Sequence, residues 1–392
     1  MPQSASAVDV LLIGGGVAAA RCARTLRRRG FTGSILLVGE EPMVPYNRPP
    51  LSKELLQADL PAELTHAEPE SWYARHNVEL RLGTRVLGLD AGGRTATLAD
   101  GRIVRFGQCL LATGARPRRP AVPGAERALP LRTLADAEAI RSRAEPGVRA
   151  VVIGGGFIGV EVAASLAMRG ASVTVLEVAS ALWGGAFGTA VSDWGVDRLR
   201  AAGVDLRLGV VCERIGPTGV VASGAELPAD LVVAGVGVEP RVELAVEAGV
   251  RVDDGVVVDD AQRTSAAGLL AAGDVARPDG GPRVEHWHAA RESGERAALA
   301  MLGEEVPPRR APWVYSEFAG AKLDVVGWAP REARAEEVAA GVIAYMLDGR
   351  VGQLAILDGG MDVSVARSLV ERAPTLDEVR RVAATPATEQ AS

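Results

Sequence analysis

Residues 8–19 read VDVLLIGGGVAA and residues 150–161 read AVVIGGGFIGVE. Each is a short apolar run that closes on three glycines and opens into an alanine-rich stretch. The pattern predicts a buried parallel strand over 8–13, a turn at Gly14, Gly15 and Gly16, a helix over 17–29 and a second strand over 34–38, followed by Glu40. The second copy repeats the order: strand 150–153, turn at Gly154, Gly155 and Gly156, helix 157–169, strand 172–176, then Glu177. The glycine spacings are GxGxxA at Gly14, Gly16 and Ala19, and GxGxxG at Gly154, Gly156 and Gly159. The first glycine permits the tight turn, the second lets backbone approach a pyrophosphate, and the small third residue packs helix on strand. Glu40 and Glu177 follow at roughly the 20-residue spacing of a carboxylate that accepts from a ribose hydroxyl. Two such units imply two nucleotides in one chain.

Glu177 also selects between nicotinamide cofactors. An acid there accepts from a free 2′-hydroxyl and repels a 2′-phosphate, and residues 178–185 contain no Arg or Lys to hold that phosphate. NADH is therefore expected over NADPH. A strand end bathed in solvent is the competing reading of Glu177.

Around these units the chain organises into domains. The segment 98–101, LADG, reads as a hairpin turn, and 109–112 as a strand leading into Thr113 and Gly114. The Arg/Pro-rich stretch 116–123 marks one boundary, and the strand 231–234 with Gly235, Val236 and Gly237 marks the return from an inserted domain. A strand at 269–272 runs into Gly273 and Asp274. Beyond Pro307 and Pro308 the segments 322–327, 342–347 and 351–357 look like antiparallel strands, followed by a helix over 361–372. Residues 384–392, ATPATEQAS, read as a frayed tail. The expected boundaries are 1–115 with 236–310, 116–235, and 311–392.

Composition narrows the function. At 392 residues, 48% hydrophobic and 23% charged, the chain is an ordinary globular protein of two or three domains. A net charge of −6 argues against nucleic acid as the main partner, because phosphate binding needs a dense basic face. No segment approaches the ~18 apolar residues of a membrane span, and no positive charge precedes the first apolar run as in a signal peptide. Cys22, Cys109 and Cys212 stand singly, which fits neither a disulfide framework nor the four thiolates usual for an iron–sulfur cluster. A cytoplasmic location is expected. Lys53 and Lys322 are the two lysines among 43 basic residues, so each draws notice as a place that keeps a compact ammonium.

Residues 45–53, PYNRPPLSK, are similar to a PYxRPPLSK motif, residues 154–161 to GGGFIGxE, and residues 112–117 and 271–276 read ATGARP and AAGDVA. On these stretches the chain resembles, over nearly its whole length, the FAD-dependent ferredoxin reductases that serve bacterial haem monooxygenases and ring-hydroxylating dioxygenases. That group includes rubredoxin reductases and apoptosis-inducing factor. The resemblance implies an α/β fold with two Rossmann-like dinucleotide-binding domains, one for FAD and one for NAD, in a glutathione-reductase-like arrangement, plus a C-terminal α+β domain. It implies FAD contacts at Gly14, Gly16, Ala19, Glu40, Arg48, Thr113, Gly114, Asp274 and Trp287. Glu40 would take the adenosine ribose, Arg48 the pyrophosphate charge and Asp274 a ribityl hydroxyl; a helix N-cap is the other reading of Asp274. NAD would meet Gly154, Gly156, Gly159, Glu177 and Gly237.

The resemblance further pairs Lys53, beside the flavin's hydride-accepting nitrogen, with Glu161 as the catalytic residues. A cation there favours the negative charge that reduction places nearby, and the carboxylate keeps the ammonium charged in a poorly hydrated site. The competing reading of Lys53 is an exposed helix residue beside Glu54. Two segments depart from the family: His288 stands where an Asn is usual after Trp287, and Tyr315 and Phe318 replace the second Trp and the Gln of PWFWSDQ.

The function implied is hydride transfer from NADH to FAD and single-electron transfer to a separate two-iron ferredoxin. Arg-rich runs at 116–119 and 309–310 are candidates for steering an acidic ferredoxin, with solvated faces as the alternative. An NADH oxidase, peroxidase or disulfide reductase of the same fold needs a redox cysteine shortly after the first acid, and residues 40–53 contain none; Met43 lies near that place. A non-catalytic flavin-stabilised interaction protein like apoptosis-inducing factor is the reading from another class.

Overall fold

The computed structural model describes residues 6–385 except Asp59. Residues 386–392 of the expected tail, and residues 1–5, lie outside the described residues. The chain divides into two compact units. Unit 1 comprises the described residues of Met1–Arg48, Pro61–Arg116 and Glu239–Arg309; unit 2 comprises those of Pro49–Leu60, Pro117–Val238 and Arg310–Ser392.

Unit 1 is built on a seven-stranded sheet. Strands Val78–Arg81, Ile35–Val38, Ser6–Ile13 and Ile103–Leu111 lie side by side and parallel. Ile103–Leu111 is shared: its last residues pair in parallel with Leu269–Ala271, and its first with the hairpin Val86–Asp90 and Thr95–Leu98. The central strands are apolar throughout because both faces are covered, as parallel sheets require. On one face the helix Val17–Arg28 buries Ala18, Ala19, Ala20, Cys22 and Ala23. These small side chains let the helix Trp287–Leu302 approach closely: a Cβ on Gly294 would lie 2.3 Å from the Ala18 carbonyl oxygen.

Unit 2 contains a five-stranded parallel sheet in the order Asp205–Leu208, Ser172–Glu177, Arg149–Ile153, Leu231–Ala234, Leu129–Pro130. The helix Phe157–Met168 follows its glycine turn and is buried over most of its length, so it reads as apolar all round. A small antiparallel sheet of Cys212–Ile215, Gly219–Ala222 and Ala225–Pro228 is inserted before the return strand. Residues beyond 310 form an antiparallel sheet in the order Trp313–Phe318, Ala321–Gly327, Arg350–Leu357, Val342–Leu347, Arg334–Ala339, with two helices packed on it.

The C-terminal portion departs from expectation in detail. The helix expected over 361–372 ends at Val370, and a second helix, Leu376–Ala383, follows. Strands at Trp313–Phe318 and Arg334–Ala339 complete a sheet of which three members are legible in sequence.

Candidate functional site

Register decides where the candidate residues fall. In unit 1, Ile13 is level with Val38 and with Leu111, and Leu111 with Ala271. The carboxyl ends of four parallel strands therefore line up, and the residues leaving them are Gly14, Gly39 with Glu40, Ala112 with Thr113 and Gly114, and Ala272 with Gly273 and Asp274. This is where open α/β sheets bind ligands.

At the turn, Gly14 has φ +126°, and a Cβ there would lie 2.1 Å from the Ala112 carbonyl oxygen, so no other residue fits. Gly16 is the N-cap of the helix Val17–Arg28; no side chain caps that helix, no acid stands in its first turn, and nothing lies within 4 Å of a Cβ built on Gly16. Unsatisfied helix amides with open space before them fit a pyrophosphate. Ala19 is fully buried against the sheet.

The neighbouring polar groups are organised as well. Thr113 Oγ1 donates to the Arg241 carbonyl at 2.7 Å, the Arg241 amide donates to Gly114 O at 3.0 Å, and the Arg241 guanidinium pairs with Glu40 at 2.6 Å. Arg48 Nη2 meets Glu41 Oε1 at 2.9 Å, and its guanidinium lies 5.2 Å from the Tyr46 ring centroid. Burial works against the charge on Arg48, and Tyr46, Glu41 and Asp274 outweigh it, holding the group above its ordinary value. Asp274 sits inside a single 3-10 turn, Gly273–Val275, whose N-cap is Ala272, so the capping reading of Asp274 does not hold. Trp287 Nε1 donates to Asn47 Oδ1 at 2.6 Å, and the His288 amide donates to His286 Nδ1 at 3.4 Å.

Unit 2 repeats the turn. Gly154 has φ +108°, with a built Cβ 2.4 Å from Gly235 O, while a Cβ on Gly159 would lie 1.9 Å from Gly154 O. Gly156 is an uncapped N-cap with nothing within 4 Å of its Cβ position. Glu177 is buried, not solvated: Oε2 accepts from the Gly155 amide at 2.5 Å and Oε1 from Ala179 at 2.7 Å. Gly237, at φ +93°, accepts from the Arg118 amide at 2.9 Å.

The same unit holds a buried ionic cluster. Lys53 Nζ lies 2.8 Å from Glu161 Oε2, and the two side chains are 9% and 5% exposed, which excludes the exposed-helix reading of Lys53. Ser52 donates to Glu161 Oε2, Ser316 donates to Oε1 at 2.7 Å, and the Tyr315 ring centroid is 5.9 Å from Nζ. Burial, with the charges of Glu317 and Glu161, pushes the Tyr315 phenol up to about 12. Ser165 donates to the Ser52 carbonyl at 2.7 Å and fixes the segment that carries Lys53.

Sequence reading finds Lys53 and Glu161 but misses Ser52, Ser316, Asn47 and Arg241. Ser52 and Asn47 stand inside the quoted PYNRPPLSK stretch and Ser316 inside the segment similar to PWFWSDQ, so their stretches are legible although their partners are not; Arg241 carries no spacing signal. Of the Arg-rich runs, Arg116 pairs with Glu239 and Glu243, Arg309 with Asp260 and Arg310 with Glu371, so these guanidiniums are engaged locally.

Paired glycine turns on separate parallel sheets define a protein that binds two dinucleotides. The chain belongs to the pyridine nucleotide-disulphide oxidoreductase family, whose model matches residues 8–294. It is 35% identical over 384 residues to the ferredoxin–NAD(+) reductase component of the p-cumate 2,3-dioxygenase system of Pseudomonas putida, covering 95% of each chain. It is 35% identical to the corresponding component of the biphenyl dioxygenase system of Paraburkholderia xenovorans, covering 92% of each. Among solved structures, putidaredoxin reductase in its covalent complex with putidaredoxin matches with a TM-score of 0.91 at 31% identity, covering 99% of each chain.

Proposed function

We propose that this chain is the FAD-dependent reductase of an oxygenase system, taking a hydride from NADH and handing single electrons to a two-iron ferredoxin that feeds a ring-hydroxylating dioxygenase or a haem monooxygenase. The observation that carries the reading is the pair of uncapped glycine turns at strand carboxyl ends, in a chain whose relatives are named for ferredoxin–NAD(+) reduction. Residues 1–115 and 236–310 are assigned to FAD, residues 116–235 to NADH and residues 311–392 to a C-terminal domain.

Bound flavin supplies the exchange between two-electron and one-electron transfer. The chain's own residues do the rest. Gly14, Gly16 and Ala19 leave room for one pyrophosphate, with Arg48 as its cation. Glu40, Thr113, Gly114, Asp274 and Trp287 surround the remainder of FAD. Gly154, Gly156, Gly159 and Gly237 shape the NADH turn, and Glu177 accepts from the ribose. Glu161 holds the Lys53 ammonium in a site that excludes water. No general acid or base is needed for hydride transfer, which rests on orientation.

Cys22 and Cys109 are buried and their thiols are pushed up by that burial, which makes them poor nucleophiles and speaks against disulfide chemistry. Three unpaired thiols fit a reducing compartment, the cytoplasm.

The test is anaerobic mixing with NADH, then with a panel of two-iron ferredoxins, following flavin bleaching and cluster reduction. Fast bleaching by NADH and onward reduction of a ferredoxin is the expected result. Bleaching without transfer to any of them, or bleaching by NADPH alone, overturns the reading.

A further inference from the structure

A dinucleotide brings two negative charges to the second glycine turn, and the surrounding sequence offers them no cation. No Lys, Arg or His occurs between Arg169 and Arg198. Glu177, bonded to the Gly155 amide, adds a charge of the wrong sign. The free amides at the start of the helix Phe157–Met168 compensate in part, as a helix N-terminus does. A basic side chain must come from elsewhere in the sequence if the site is to have one.

One arrives within the same unit. The Trp183 amide donates to Gly155 O at 2.8 Å, and Leu182 Cδ2 lies 3.0 Å from the position of a Gly155 Cβ, so residues 182–185 are pinned onto the glycine turn. Trp183, Gly184 and Gly185 are consecutively left-handed, with φ of +52°, +61° and +74°. Two glycines take that conformation freely, whereas for Trp183 it is strained, and structures retain such strain mainly where a site requires the bend. The bend leads to Arg331. Its Nη2 lies 3.0 Å from where a Gly184 Cβ would stand and 4.0 Å from that of Gly185. Arg331 is exposed and makes no hydrogen bond or ion pair among the described residues, whereas nearby Arg334 pairs with Glu336. An unpaired guanidinium laid against the segment that covers a phosphate-binding turn has the charge and the fork geometry for phosphate.

We propose that Arg331 binds the pyrophosphate of the pyridine nucleotide, an assignment that rests on reading the second glycine turn as the NADH site. The residue lies about 170 positions beyond the fingerprint it completes, in the turn between the C-terminal strands Ala321–Gly327 and Arg334–Ala339, which therefore takes part in nucleotide binding.

The test is calorimetric titration of the FAD-loaded protein with NAD+ and with ADP-ribose, which carries the pyrophosphate without the nicotinamide. In Arg331→Ala both ligands weaken by the same factor, about tenfold or more, the scale of one lost charge-assisted hydrogen bond. In Arg331→Lys the loss stays within about threefold, since the charge remains. Unchanged binding in Arg331→Ala overturns the proposal. So does a loss confined to NAD+, which would put the residue at the nicotinamide. Glu177→Gln is titrated alongside. If it weakens ADP-ribose and Arg331→Ala does not, the site stands and the role of Arg331 falls. If neither changes ADP-ribose binding, the nucleotide-site reading falls with it.

Discussion

Lys53 and Glu161 are each buried and each other's counter-charge, so their chemistry and their contribution to stability are entangled. Removing one leaves a buried charge unpaired, at a cost of about 3–5 kcal/mol, whereas replacing both by apolar residues is often close to neutral. Lys53→Met alone should therefore lower the unfolding free energy by that amount in urea titration. The double variant Lys53→Met/Glu161→Leu should recover at least half of it. Flavin bleaching by NADH should remain slower by at least about tenfold in both if Lys53 has the role proposed for it, because its charge is lost either way. Parent-like bleaching in the double variant would remove the pair from the mechanism and leave it a structural device. That Ser52 and Ser316 orient Glu161 is not legible in the sequence, although both stand in motif stretches, because they are separated from it by 109 and 155 positions. A serine at such a distance looks like any other serine.

At the level of elements, the glycine turns were legible because parallel strands covered on both faces are continuous apolar runs, and their ends coincide with glycines that a side chain would block. The two copies differ at the third fingerprint position, and the structure separates them. Ala19 is accommodated, fully buried, in unit 1. In unit 2 a Cβ on Gly159 would lie 1.9 Å from Gly154 O, so the helix must retreat from its turn. Gly159→Ala should lower NAD+ affinity at least about tenfold in calorimetry while the protein keeps its flavin, because strained packing of this kind costs about 1–3 kcal/mol. Unaltered NAD+ binding would show that the close approach is dispensable. The strand Arg334–Ala339 was missed because it is an edge strand with little burial and no apolar alternation. The break before Leu376–Ala383 had a signal that went unused: Thr375 and Glu378 form a capping box, with the Glu378 amide donating to Thr375 Oγ1 at 3.3 Å.

Across the whole molecule, burial raises several groups that lose a proton in alkali. Tyr315 is pushed up to about 12, and Tyr73, Tyr345, Cys22 and Cys109 move in the same direction, each mainly through desolvation. An unfolded phenol titrates near 10 and an unfolded thiol near 8.5. Below those values the two states hold the same protons; above them the unfolded chain gives up protons that the folded chain keeps, and stability falls as pH rises. The urea midpoint should be level to about pH 8.5 and then decline steadily toward pH 11. A midpoint unchanged at pH 10.5 would contradict the burial of these groups. The path of the chain carries a separate lesson for recombination. Residues 49–60, which bring Ser52 and Lys53 to Glu161, belong with unit 2 although they are encoded amid unit 1. A chimera that transplants only the contiguous module 117–238 would strand the lysine with a foreign neighbour, so a working swap has to carry the short excursion as well.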